Sequence, residues 1–357
     1  MYMIKAATAL LILTAVIFFN GCAGQTAGQV EPAAVEDVPV AGGGSEWMID
    51  YISKVPVVQS VSEWENPYGT GLVIKTSRYD IYTTMSDALM LRQLPTFLEC
   101  AGNEYLKSSG IKTTSDARYT VYVFETREQW EQFGKEFTGS LWPVYQKIDK
   151  GAYYIKGACV SYNIGRNDTL SILAHEGWHQ FSHRHFKYRL PAWLDEGLAM
   201  QFEGFQPHKG RYVFASSLNS LRLNGLKKSF ELGQPTFTDL LGVNPAAVID
   251  GDPKGAEDRI NSYYSRLYAF IRFLNEYAAG MYSGRFHKLI LDGCEGKWEL
   301  PAELAFSLED RNTVLTTAIN KELGVRVFAN YYGTKLRTME DQFSMYCYSL
   351  VLNKGRD

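Results

Sequence analysis

The chain has no excess of positive charge, little cysteine and no long hydrophobic run. Lys and Arg together number 36 against 39 Asp and Glu, giving a net charge of −3, and no long basic run is present. A dedicated nucleic-acid binder carries a strong basic excess, so nucleic acid is not an expected partner. Only five cysteines occur in 357 residues. None are in C-x-x-C spacing, which argues against a zinc–thiolate site. The longest apolar stretch, Ala6 to Phe19, has 14 residues, short of the roughly 20 that cross a bilayer. No internal repeat of fixed period is present. The composition is also far from that of a disordered chain: 46% of residues are hydrophobic and 21% charged, ordinary globular values. The length suits one large domain or two small ones.

What the chain does have begins at its start. Lys5, the apolar stretch and the small residue Gly21 read as a secretory signal over residues 1–21, not a membrane span. Phe19-Asn20-Gly21-Cys22 resembles a bacterial lipobox, in which Gly precedes the modified Cys. Phe19 and Asn20 depart from the usual Leu and small residue. The resemblance implies an exported bacterial lipoprotein, attached to the cell-envelope membrane through a lipidated Cys22. Residues 22–46 are rich in Gly, Ala, Val and Pro and end near Gly42-Gly43-Gly44-Ser45, as a flexible tether does. Cys100, Cys159, Cys294 and Cys347 then remain, and they allow three disulfide pairings or four buried thiols. A monomer is expected.

From Trp47 the pattern is that of a folded chain. Tyr79–Thr84 and Tyr119–Phe124 alternate as strands do, and Tyr153–Tyr162 reads as a third strand. Asp87–Leu106 has helical spacing with Pro95 inside it, and Thr126 caps a helix over Arg127–Phe137. Residues 47–165 therefore form a small N-terminal α/β layer. Residues 166–357 read as mainly helical, with Asn167 or Asp168 capping a helix to His185 and Pro191 opening another through Phe202. Leu226–Pro253 reads as loop-rich around a short helix at Phe237–Leu241. Helices follow over Ser262–Tyr277, Ser283–Leu291 and Arg311–Leu323. The fold class expected is α+β.

The chemistry centres on His175-Glu176-Gly177-Trp178-His179. On a helix, residues 175 and 179 share one face, so two imidazoles can grip one metal ion. Glu176 stands beside them as a general base. A structural helix with two ordinary histidines gives the same spacing. A catalytic zinc takes three protein ligands, and Glu196 is the preferred third. Leu194, Leu198 and Phe202 form a stripe that packs its helix against the first. His185 stands at the metzincin ligand position, but Ser182 occupies the place of the required Gly and no Met-turn follows. His183 lies two helical turns from His175, roughly 12 Å along the axis, and is a poor option. Asp195 either orients a ligating His or faces solvent. His208 and His287 read as surface or packed residues.

His175-Glu176-x-x-His179, followed by Leu190-Pro191-x-Trp193-Leu194-x-Glu196-Gly197-Leu198-Ala199, resembles the gluzincin metallopeptidases. More narrowly it is similar to the peptidase MA-like group and a related bacterial family of unknown function, which also carry a Gln where Gln180 stands. The similarity covers residues 153–274. It implies a thermolysin-like zincin catalytic domain that binds Zn2+ through His175, His179 and Glu196. It also implies an edge strand for extended peptide or protein substrate, at Tyr153–Tyr162. Tyr264 matches a family tyrosine that can donate to an oxyanion. Arg266 and Leu267 depart from the family there, Tyr263 is the next candidate, and an aromatic core face is the plain alternative. The expectation is a zinc-dependent peptidase using Glu176 and Tyr264. The alternative is a lipid-anchored peptide- or glycan-binding protein on an inactive zincin fold.

Overall fold

The computed structural model describes residues 45–112, 117–232, 236–243, 255–310, 315–334 and 336–353. The expected signal, Cys22 and all of the tether except Ser45 and Glu46 lie outside the described residues. The chain enters through α1 (Glu46–Ser53) and builds a six-stranded sheet. Its strands are β1 (Ser60–Glu63), β2 (Leu72–Lys75), β3 (Tyr79–Thr83), β4 (Tyr119–Phe124), β5 (Ala152–Ile155) and β6 (Ala158–Tyr162). Their order is β1-β2-β3-β4-β6-β5. Strands β1 to β3 form an antiparallel meander, β3, β4 and β6 run parallel, and β5 returns antiparallel at the edge.

Side chains alternate across a strand, so register decides which residues face the core. Ile74, Ile81, Val121 and Cys159 lie side by side across β2, β3, β4 and β6. All are buried, in one core with α2 (Ala88–Ser109) and α5 (Arg166–His185). Asp87 caps α2 by accepting from Met90 N, and Gly110, at φ 70°, ends it. On the other face, α3 (Arg127–Thr138) and α4 (Trp142–Tyr145) cover Phe124, Tyr153 and Val160 in a second, aromatic core. Thr126 and Gln129 close a reciprocal capping box at the start of α3.

Three local expectations are corrected. The strand over Tyr153–Tyr162 is two strands, β5 and β6. Lys156 and Gly157 between them both have positive φ, 51° and 81°, the requirement of a tight type I′ hairpin turn. The edge is therefore β5 alone. Helix α5 is not capped by Asn167 or Asp168. Its N-cap is Gly165 at φ 103°, with no side-chain cap, and Thr169 Oγ1 accepts instead from Ile164 N. A helix, α7 (Ser220–Ser229), runs into the stretch expected to be loop from Leu226, because Leu223 and Leu226 are buried against the long helix after it.

The remaining helices are α6 (Ala192–Ala199), α8 (Phe237–Gly242), α9 (Ala256–Gly280), α10 (Ser283–Glu295), α11 (Ala302–Glu309), α12 (Thr317–Tyr332) and α13 (Arg337–Asn353). A 3-10 turn, Met200–Phe202, extends α6, and the hairpin of β7 (Phe205–His208) and β8 (Arg211–Phe214) follows it. The helix expected over Arg311–Leu323 begins at Thr317 among the described residues. One continuous core runs from Met48 to Cys347. The α/β layer and the helical part are thus joined by shared packing, and the fold is α+β. Cys100, Cys159, Cys294 and Cys347 are all free thiols. Among the described residues no helix is long and apolar enough to cross a membrane.

Candidate metal centre

Helix α5 is held from two sides. A Cβ on Gly177 would stand 2.7 Å from Tyr105 Oη, so only glycine admits α2 this closely. The Tyr105 hydroxyl donates to Ala174 O at 2.6 Å. Gln180 Nε2 donates to Thr120 O at 2.9 Å and Gly157 O at 2.7 Å, fastening α5 to the sheet. Helix α6 approaches α9 at a second glycine: a Cβ on Gly197 would lie 2.5 Å from Ile271 Cγ1. These contacts bring Glu196 over the His175–His179 face.

The three predicted ligands meet. His175 Nε2 lies 3.3 Å from Glu196 Oε2, and His179 Nε2 lies 3.8 Å from the same oxygen. The three ligand atoms fall within 4.8 Å of one another. Two ligands about 2 Å from a tetrahedral ion are roughly 3.3 Å apart, so the spacing fits. His175 is 0% exposed, and His179 and Glu196 are each 2% exposed. His175 Nε2, His179 Nε2 and Glu196 Oε2 accept and donate no hydrogen bond. Buried polar atoms left so are costly, and three of them pointing at one spot fit a cation.

The outer nitrogens explain the orientation. His175 Nδ1 is hydrogen-bonded to Glu203 Oε1 at 2.8 Å, whereas His179 Nδ1 lies 3.2 Å from Asp195 Oδ2 as an ion-pair contact outside hydrogen-bond geometry. A neutral imidazole that gives its Nδ1 proton to a carboxylate keeps the Nε2 lone pair for a metal. Asp195 also accepts from Trp178 Nε1 and Ser182 Oγ. Of its two expected surroundings, solvent or a histidine, Asp195 has the second and stands beside His179. Glu203 is held bidentately by Arg222, with both contacts at 2.8 Å, and accepts from Asn219 Nδ2 at 2.7 Å. Burial pushes the Glu203 carboxyl up, but Arg222 and His175 outweigh it and hold it at about 2. Burial lowers both imidazoles, yet Glu196 and Glu203 raise His175, and Asp195 and Glu196 raise His179. The centre therefore favours positive charge.

Glu176 has no exposed surface. Tyr264 is buried too, and its hydroxyl is pushed well above its ordinary pKa by burial, then by Glu196, Tyr263 and Glu176, against Arg222. The Arg222 guanidinium lies 5.3 Å from the Tyr264 ring. Tyr263 donates to Val243 O, a packing role. Neither alternative ligand joins the cluster. His185 Nε2 is 2.6 Å from the Tyr119 hydroxyl, and burial, with Arg184 second, pulls it down to about 4. His183 packs on Tyr154. His208 and His287 are exposed.

Sequence reasoning missed Glu203, Arg222 and Asn219. Glu203 stands seven residues after Glu196 but beyond the end of α6 and its 3-10 extension, so helical repeat does not link the two. No signal marks Arg222 either. No protein-family model matches this chain, and no curated protein matches it.

Proposed function

We propose that the chain is a metallohydrolase of the gluzincin kind with a thermolysin-like catalytic fold. Within that class, we read it as a zinc peptidase. The observation that carries this reading is the convergence of His175 Nε2, His179 Nε2 and Glu196 Oε2, with both Nδ1 atoms facing carboxylates. These three residues would hold Zn2+, which when bound supplies the Lewis acidity that makes water a nucleophile at neutral pH. Glu176 takes the proton of the attacking water and passes it to the leaving nitrogen. The Tyr264 hydroxyl, kept protonated by its surroundings, donates to the carbonyl oxygen as that oxygen gains charge. The outer edge of β5, which among the described residues pairs only with β6, can carry an extended substrate as an added strand.

The test is a peptide-library digest with zinc-loaded protein. Glu176→Gln should keep its zinc and lose activity by roughly 10²- to 10⁴-fold. Tyr264→Phe should keep zinc and lower kcat more than it raises KM. A Glu176→Gln variant as active as the wild type would remove the proposed base. One observation favours a competing reading: the complete burial of Glu176 means substrate enters only after the elements over the centre shift. A lipid-anchored peptide- or glycan-binding protein on an inactive zincin fold needs no such entry. Absence of cleavage of any peptide pool, with equal ligand binding by wild type and Glu176→Gln, would select that alternative.

A further inference from the structure

A cavity of about 200 Å³ opens behind the metal centre, on the reverse side of the segment that supplies its carboxylates. Glu196 faces the histidines. Leu198, two residues later and so about 200° around the helix, faces the cavity, as does Phe202. Between them these residues make α6 and its 3-10 extension a partition with the metal centre on one side and the cavity on the other. Leu198, Phe202, Phe286 and Ile290 form a buried apolar floor. Carboxylates of Glu104 and Glu276 and the imidazole of His287 stand in the wall, and no Lys or Arg is among its lining residues.

The two carboxylates differ. Glu276 is matched by Arg272 at 2.8 Å and accepts from Tyr346 and Ser216. Among the described residues Glu104 has one ion-pair partner, Lys107, whose side chain is 76% exposed, whereas that of Glu104 is only 25% exposed. An exposed pair of this kind is weak, so Glu104 keeps most of its capacity for a cation inside the cavity. Phenyl faces add to the attraction for positive charge. A wall with two carboxylates and no Lys or Arg favours a cation over an anion, and His287 is its one basic side chain. The volume is below the ~300–1,000 Å³ that take drug-sized ligands. The chain immediately after Glu276 is strained as well. Ala278 and Ala279 both adopt left-handed backbone, at φ 48° and 56°, a conformation that non-glycine residues hold mainly where the surroundings impose it.

We propose that this cavity is a second ligand site, independent of the metal centre, for a small organic ammonium ion whose hydrocarbon part rests on the Leu198–Phe202–Phe286–Ile290 floor and whose charge is met by Glu104. Three probes of nearly equal shape test it: phenethylamine, 2-phenylethanol and phenylacetate. Ligand-observed NMR on the zinc-loaded full chain should show saturable binding of phenethylamine, weaker binding of phenylethanol and none of phenylacetate. Glu104→Gln should weaken phenethylamine about tenfold, the size of one charge-assisted contact. Ser108→Phe, which fills the cavity from α2, should abolish it. Glu176→Gln should leave it unchanged, since that residue lies across the partition. Phenylacetate binding as well as the amine, or amine binding that survives both Glu104→Gln and Ser108→Phe, would overturn the proposal. So would amine binding lost in Glu176→Gln, which would move the ligand to the metal centre, or no binding of any probe.

Discussion

Replacing Glu203 by Gln keeps the side chain's shape and removes its charge. Glu203 Oε1 accepts from Arg222 Nη2 and faces His175 Nδ1, while Oε2 accepts from Arg222 Nε and Asn219 Nδ2. A Gln amide offers one oxygen, so its NH2 must face donors on one side. Arg222, only 2% exposed, then holds a buried charge with no counter-ion. Breaking a buried pair in this way costs about 3–5 kcal/mol. At about 2 °C per kcal/mol, the low end suited to a long chain, the melting temperature should fall by roughly 6–10 °C. Separately, His175 loses the carboxylate that orients it, which should weaken zinc about 10- to 100-fold. The two effects part in the double variant Glu203→Gln, Arg222→Met. Removing the orphaned charge should restore most of the stability but not the affinity. Melting is measured in chelator, so that bound metal adds nothing to stability, and affinity by competition with a chromophoric zinc chelator. Single-variant melting within 1 °C of wild type would show that the buried pair carries no net stabilisation. Zinc affinity regained in the double variant would show that Glu203 acts through folding and not through His175.

Gly177→Ala should destabilise by about 1–3 kcal/mol, because its Cβ would press on Tyr105 Oη at 2.7 Å. Adding Tyr105→Phe removes that atom and should recover part of the loss in urea titrations; no recovery would mean that the clash lies elsewhere. His185 is held at about 4 by burial and then Arg184, below the 6.5 of a free histidine. The unfolded chain therefore binds the extra proton first. The stability tied to neutral His185 is complete above pH 6.5 and is lost as pH falls from 6.5 to 4. Discounted for its partial exposure, that loss is about 1–2 kcal/mol. His185→Gln should flatten the pH dependence of unfolding in that window; an unchanged slope would refute it. Attachment through Cys22 predicts that a fatty-acid analogue labels wild type and not Cys22→Ser, and equal labelling of both would reject it.

The convergence of His175, His179 and Glu196 was legible in the sequence because its geometry is local. His175 and His179 meet by helical repeat alone, and Glu196 sits in a short helix whose apolar stripe, Leu194, Leu198 and Phe202, already told it where to pack. The strand alternation of Tyr79–Thr83 and Tyr119–Phe124 and the capping box at Thr126 are likewise properties of neighbouring residues. What only the tertiary structure decided depends on residues far apart in the chain. Glu203 and Arg222 are 19 residues apart, and neither has a pattern of its own: a buried ion pair looks in sequence like any two surface charges. The split of Tyr153–Tyr162 rests on positive φ at Lys156, which composition does not announce. Asp195 came to stand beside His179, and His185 became a partner of Tyr119, only once α5 was laid across the sheet. The sequence determined which side chains could hold an ion. Packing of α5, α6 and α7 decided how they are turned, because a tautomer is selected by whichever group lies behind the ring.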